Sequence, residues 1–141
     1  MVANASSVKN EMWTVEFTTS ETNVKPGQVV DLTVRISPSV KTYDFRLEVL
    51  SSPTKIIADS SLIYWELEAG LHQSHVFKLK IPEDASKGIM FQIDVRIEGY
   101  KNPPLFALLW WRPHKILWFG EDPTILDSRD YPMSSIKLTV T

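Results

Sequence analysis

Three groups of side chains in this sequence have the types and spacing to do chemistry. The densest is Leu105 to Phe119, LFALLWWRPHKILWF, which places Phe106, Trp110, Trp111, Arg112, Trp118 and Phe119 within fifteen residues. Aromatics beside an arginine dominate the energetics of protein interfaces. The same tryptophans could stack on sugar rings, or sit at lipid head groups with Arg112 and Lys115. A second group is His72, His75 and His114, which a metal ion could recruit. Two lie three residues apart ahead of a strand and the third is remote, which is poor spacing for a metal, and none is expected. The third group, Glu121, Asp122, Asp127 and Asp130, follows Gly120 and could suggest calcium. Pro123, Ile125 and Leu126 interrupt it and calcium-loop spacing is missing, so a solvated acidic loop is expected.

Catalytic chemistry finds little to stand on. With zero cysteines there is no thiol nucleophile, thiolate metal site or disulfide framework. No nucleophile elbow, phosphate loop or zinc-protease motif occurs, and Glu83-Asp84 reads as a turn. Neither an enzyme nor a cofactor is expected.

The aromatic stretch therefore carries the functional question. Its five aromatic rings, at roughly 150 Å² or more each, present about 750 Å² of apolar surface, above the roughly 300 to 600 Å² of the largest patch on a typical soluble monomer. Something must cover it: the protein's own sheet, a second chain or a ligand. Burying half of that area is worth roughly 9 kcal/mol before association costs, enough to hold a dimer or a stable partner.

The elements that must position this stretch are strands. At 141 residues and 43% hydrophobic, the chain suits one globular domain. Its 15 basic and 17 acidic residues give a net charge of -2 without a basic footprint, so nucleic acid is not expected. No apolar run approaches the ~18 residues of a membrane span. The first ten residues are polar and small and are expected to be flexible, with Asn4-Ala5-Ser6 a chance match to the glycosylation pattern. They lack the features of a signal peptide, and a signal or anchor is expected to be missing ahead of them.

From Trp13 the pattern alternates, Trp13, Val15 and Phe17 against Thr14, Glu16 and Thr18, the period of a half-buried strand. Lys25-Pro26-Gly27-Gln28 predicts a type II turn, because proline presets one central φ and glycine accepts the positive φ at the next. Further alternations set Val30, Leu32, Val34 and Ile36, then Tyr43, Phe45, Leu47 and Val49, inward. Lys55–Ala58 and Leu62–Leu67 read as edge strands, the second with Ile63, Trp65 and Leu67 on one face. Phe77, Leu79 and Ile81 point inward, Ile89 to Ile97 is the longest clean alternation, and Ile136, Leu138 and Val140 close the chain. Recurring strands with turn signals between them predict an all-β antiparallel sandwich.

Val24-Lys25-Pro26-Gly27-Gln28-Val29-Val30-Asp31-Leu32-Thr33-Val34 and Ile81-Pro82-Glu83-Asp84-Ala85-Ser86-Lys87-Gly88 resemble the second-strand entry and a later inter-strand connection of immunoglobulin-like domains on microbial exported and cell-surface proteins. The resemblance spans about residues 12–99. It implies an immunoglobulin-like antiparallel β-sandwich over residues 11–141, used as an adhesion, spacer or accessory module outside the cell or at its surface. The antibody-type Cys, Trp, Cys core is absent, and residues 103–133 are longer than a usual connection before the last strand, hence a Trp-rich insertion.

Within the insertion two local structures compete. Pro103-Pro104 could open a helix of about two turns, stopped by Pro113. Alternatively Ala107–Trp111 and Ile116–Phe119 form a hairpin through Arg112-Pro113-His114-Lys115, which aromatic content favours. As a strand it would aim Trp110 and Trp111 to opposite sides, so at most one belongs to the core. The expectation is a noncatalytic protein-interaction module that self-associates as a dimer or joins a surface appendage or envelope assembly. Phe106, Trp110, Trp111, Arg112, Trp118 and Phe119 would make the contact; glycan stacking is the alternative, and membrane attachment would need a tether outside this chain.

Overall fold

The computed structural model describes residues 5–102, 122–131 and 133–141. In chain order the strands are β1 (Ala5–Lys9), β2 (Trp13–Thr19), β3 (Asn23–Val24), β4 (Val29–Pro38), β5 (Thr42–Ser52), β6 (Ser61–Leu67), β7 (Gln73–Lys80), β8 (Met90–Tyr100), β9 (Thr124–Asp127) and β10 (Ile136–Val140). A 3₁₀ turn at Ser128–Asp130 follows β9, and no α-helix occurs among the described residues. The strands form a four-stranded sheet in the order β1-β2-β4-β7. A six-stranded sheet runs β3-β10-β8-β5-β6, with β9 also paired to β8. Every pairing is antiparallel except β3 with β10. The expected all-β architecture of mostly antiparallel sheets is present.

Alternation builds the core. Val15 and Phe17, Val30 to Ile36 at every second position, and Phe77 and Leu79 come from the smaller sheet. They face Phe45, Leu47 and Val49 and the odd-numbered residues Phe91 to Ile97 of the larger, all buried. The predicted turn before β4 forms, with Gln28 N donating to Lys25 O at 3.1 Å and Gly27 at φ 80°. That φ is why glycine stands there.

Several expectations need correction. Ala5–Lys9 is not a loose end: it pairs with Thr14–Thr18 of β2. The backbone pairing outweighs its polar composition. Lys55–Ala58 is not a strand, although Ile56 and Ile57 are both buried. Ile63, Trp65 and Leu67 do not share one environment: Ile63 and Trp65 are 60% and 40% exposed and Leu67 is buried, while Leu62 and Tyr64 pack against the core. Tyr43 is only half-buried and Asp44 is buried, the reverse of the alternation. The cause is a bulge: Asp44 has φ 48°, and the β5–β8 register shifts between Tyr43 and Arg46. One extra residue inverts the facing of all residues before it.

The bulge lies beside a closely packed part of the core. Trp13 is fully buried, donates from Nε1 to Thr42 Oγ1 at 2.9 Å, and meets Phe45 edge-on with ring centroids 5.6 Å apart. Its ring covers Gly99. A Cβ there would lie 2.9 Å from Trp13 Cζ2 and 2.7 Å from Thr42 Cγ2. Glycine is required at this position for close approach rather than for φ. Gly99→Ala should therefore destabilise the fold by about 1 to 3 kcal/mol, the usual cost of overpacking. Urea unfolding followed by circular dichroism measures it, and a neutral result would mean the indole can retreat.

Candidate functional site

β8 is the centre of the larger sheet, and two separate strands share one of its edges. β10 pairs with Met90–Ile93 and β9 with Arg96–Gly99, both antiparallel. Residues 128–131 and 133–135 lie outside the ladder between them, opposite Asp94 and Val95. A central strand cannot leave backbone donors bare, because an unpaired buried N–H costs as much as a lost hydrogen bond. Ser128 replaces the missing ladder: its Oγ accepts from Val95 N at 2.8 Å and donates to Asp94 Oδ1 at 3.1 Å. Asp94 is buried, and its carboxylate also accepts from Ser135 Oγ and, at 2.9 Å, from Gln92 Nε2. Three donors are what a buried carboxylate needs. Ser134 Oγ bonds to Ser128 O, and Ser6 Oγ of β1 donates to Ser134 O, so the excursion is tied to the other sheet as well.

This anchorage brings the two ends of the 103–121 connection together. Gly99 pairs with Thr124, so the chain departs from and returns to neighbouring positions at one end of the larger sheet. Phe106, Trp110, Trp111, Arg112, Trp118 and Phe119 lie outside the described residues, as do His114 and Glu121. What the described residues supply is the surface beside those ends.

That surface is the outer face of β9, β8, β5 and β6. Cross-strand registers align Ile125, Glu98, Arg46 and Ile63 in one row and Asp127, Arg96, Glu48 and Ser61 in the next. Opposite charges thus meet across strands, which favours pairing. Arg96 Nη1 lies 3.8 Å from Glu98 Oε2, and Arg46 Nε donates to Asp44 Oδ1 at 3.1 Å. Apolar groups flank this charged band, with Ile125 49% exposed on one side and Ile63 60% on the other. The depression between β5, β6 and β8 holds about 220 Å³. That is below the ~300 to 1,000 Å³ of ordinary small-molecule pockets, and its lining mixes the charged Arg46, Glu48, Arg96 and Glu98 with the apolar Leu47, Leu62 and Ile63.

Of the acidic group, Asp127 has a structural role. Asp127 accepts from Arg129 N and Nε, each at 3.0 Å, and from Nη2 at 2.6 Å. The hydrogen bonds from Arg129 hold the Asp127 carboxyl below its usual range, against a smaller opposing effect of burial. On the far side of β5, the exposed Lys41 ammonium is held above its usual value, chiefly by its hydrogen bond to Glu68. His72 Nδ1 bonds Ser37 Oγ at 2.7 Å, and His75 meets Phe77 edge-on. Among the described residues, no three His, Cys, Asp or Glu side chains converge as metal ligands. The role of Asp94, Ser128, Ser134 and Ser135 was missed in the sequence; the one available signal was a cluster of serines next to a strand that alternates otherwise cleanly.

No family model and no curated protein matches the chain. Among solved structures it is similar to the sporulation control protein Spo0M from Bacillus subtilis, with 12% identity over 92% of this chain and 49% of that one, and a TM-score of 0.46. The chain thus spans about half the length of that protein.

The Asp127 cap has a pH signature. A carboxyl whose folded pKa is depressed stabilises the fold fully above its ordinary value of 3.8, and that stabilisation is lost as pH falls through the lowered value. Asp127→Ala should cost about 1 kcal/mol at pH 7, as loss of a cap does. The deficit relative to the parent should shrink below pH 3.8. Urea titrations at pH 7 and pH 3 test this, and a deficit of equal size at both would assign the loss to packing instead.

Proposed function

We propose that the chain is an immunoglobulin-like sandwich acting as a noncatalytic protein-interaction module outside the cell or at its surface, within a surface appendage or envelope assembly. Its partner is held by the aromatic connection between β8 and β9 together with the adjoining outer face of the larger sheet. Strand order supports the fold reading. β2, β4 and β7 correspond to A, B and E of an immunoglobulin sandwich, and β10, β8, β5 and β6 to G, F, C and C′. By that correspondence the aromatic segment is the F–G connection, which in antibody variable domains is a binding loop; this is analogy of position.

The observation that carries the proposal is the Gly99–Thr124 pairing. It sets Gly99 and Thr124, between which the sequence carries Phe106, Trp110, Trp111, Arg112, Trp118 and Phe119, next to a face on which Ile125, Ile63 and Trp65 are exposed. Protein recognition by aromatic and arginine anchors within a polar surround has this composition. A glycan-binding reading draws on the 40% exposure of Trp65, which could extend a stacking platform formed by Trp110, Trp111 or Trp118.

Trp111→Asp should weaken a complex, whether with a second copy or with an envelope protein, by roughly 30-fold or more, as loss of a central anchor does. Sedimentation velocity and titration calorimetry read this directly. A monomer at every concentration that forms no complex, with Trp110, Trp111 and Trp118 shielded from acrylamide, would sink the proposal. A tryptophan fluorescence shift on glycan addition would favour the sugar reading.

A further inference from the structure

β9, with four residues, is too short to choose its own register. Strand pairing is specified by the burial of one face, and a slip of one residue is excluded because it would turn Leu126, the buried residue of β9, to the outer face. A slip of two residues keeps Leu126 facing inward, so burial does not forbid it. Toward Ile93 such a slip is blocked: it would bring Ser128 opposite Ile93, where Ile136 of β10 is already paired. Toward Lys101 chain length permits it. Ser128 would move from Val95 to Ile97, about 10 Å along β8 from Asp94, whereas the chain from Ser128 to Ser135 can reach roughly 23 Å. With that slack available, local contacts must hold the native register.

We infer that Ser128, seated on Asp94 and Val95, selects the register of β9, and that without it the strand slips by two residues toward Lys101. In the native register Ser128 Oγ accepts from Val95 N at 2.8 Å and donates to Asp94 Oδ1 at 3.1 Å. Slipping breaks both bonds together, at a buried carboxylate and a buried backbone donor, where the loss is most costly. Ser135 reaches Asp94 from the β10 side and keeps its bond in either register, so it does not discriminate between them. Charge acts in the same direction as Ser128. The native pairing sets Asp127 opposite Arg96, whereas the slipped one sets it opposite Glu98, and like charges directly opposed are unfavourable. Arg129 is bonded to Asp127 and travels with it. The slip would carry Thr124, to which the connection returns, about 7 Å along β8. Ser128 and Asp94 are thereby positioning residues for that return. The inference stands on strand pairing and holds whether or not the connection binds a partner.

Backbone NMR of the whole chain reads the register. Because Val95 N points to this edge, Glu98 and Ile125 form the closer, non-hydrogen-bonded type of pair, and their α-protons should give a strong cross-strand Overhauser contact. Ser128→Ala should add a second contact, from Glu98 to position 127, and lower the exchange protection of the Val95 amide about tenfold. Ser128→Thr, which keeps the hydroxyl, should show the native contact alone. Ser128→Ala combined with Asp127→Lys removes the serine and reverses the charge preference. That chain should show the slipped contact alone, with the β4–β7 ladder unchanged as the sign of an intact fold. Persistence of only the native contact in Ser128→Ala, or in the double variant, overturns the inference. Loss of every β8–β9 contact in a folded chain overturns it too, since Ser128 would then anchor the strand without selecting its register.

Discussion

Both edges of β8 must be satisfied along a strand of eleven residues, and the rest of the larger sheet is arranged to meet that demand. On one side β5 suffices. On the other, the chain supplies β9, leaves the ladder, and returns as β10, so the backbone donor of Val95 falls opposite a gap. The hydroxyl of Ser128 fills it and at the same time donates to Asp94. A single serine therefore satisfies the backbone and places the start of the excursion, while Asp94 gathers Ser135 from its far end. A carboxylate buried in this way is a pin whose worth lies in fixing one arrangement of the loop around it.

A second point of tight control lies near the other end of β8. There Trp13 of the smaller sheet lies on Gly99, and its indole N–H is satisfied by Thr42, just before the Asp44 bulge. The bulge, the glycine and the tryptophan are mutually dependent, since a side chain at position 99 would displace the ring. Gly99 is also the residue paired with Thr124, so the core contact holding the two sheets together sits directly beneath the root of the aromatic connection. Packing in the interior and presentation at the surface are set by the same residue.

Most of the sandwich was legible from alternation, because strands with one wet face write their burial into every second residue. What alternation conceals is a change of phase. Asp44 adopts a positive φ that nothing in Tyr43-Asp44-Phe45 announces, and the inward set before it is inverted. On β6, apolar residues on both faces leave the phase undetermined, so alternation does not tell which of Ile63, Tyr64 and Trp65 meets the core. β1 was hidden by its polar composition, since ladder hydrogen bonds to β2 do not depend on side-chain hydrophobicity. β9 was hidden by its length, four residues being too few to establish a period. As for the candidate site, the sequence made its aromatic content plain, but that Gly99 and Thr124 would adjoin, and that Ile125 and Ile63 would flank a charged band, depends on registers between strands distant in the chain.

Closing the ends of a loop costs entropy that grows only logarithmically with length, about 0.6 kcal/mol for each doubling. Here the ends are clamped by the β8–β9 ladder and by the serine-aspartate pin below it, so the closure is held by residues the loop does not contain. Such a clamp fixes where the segment leaves the larger sheet and where it rejoins it without drawing on the segment's own composition.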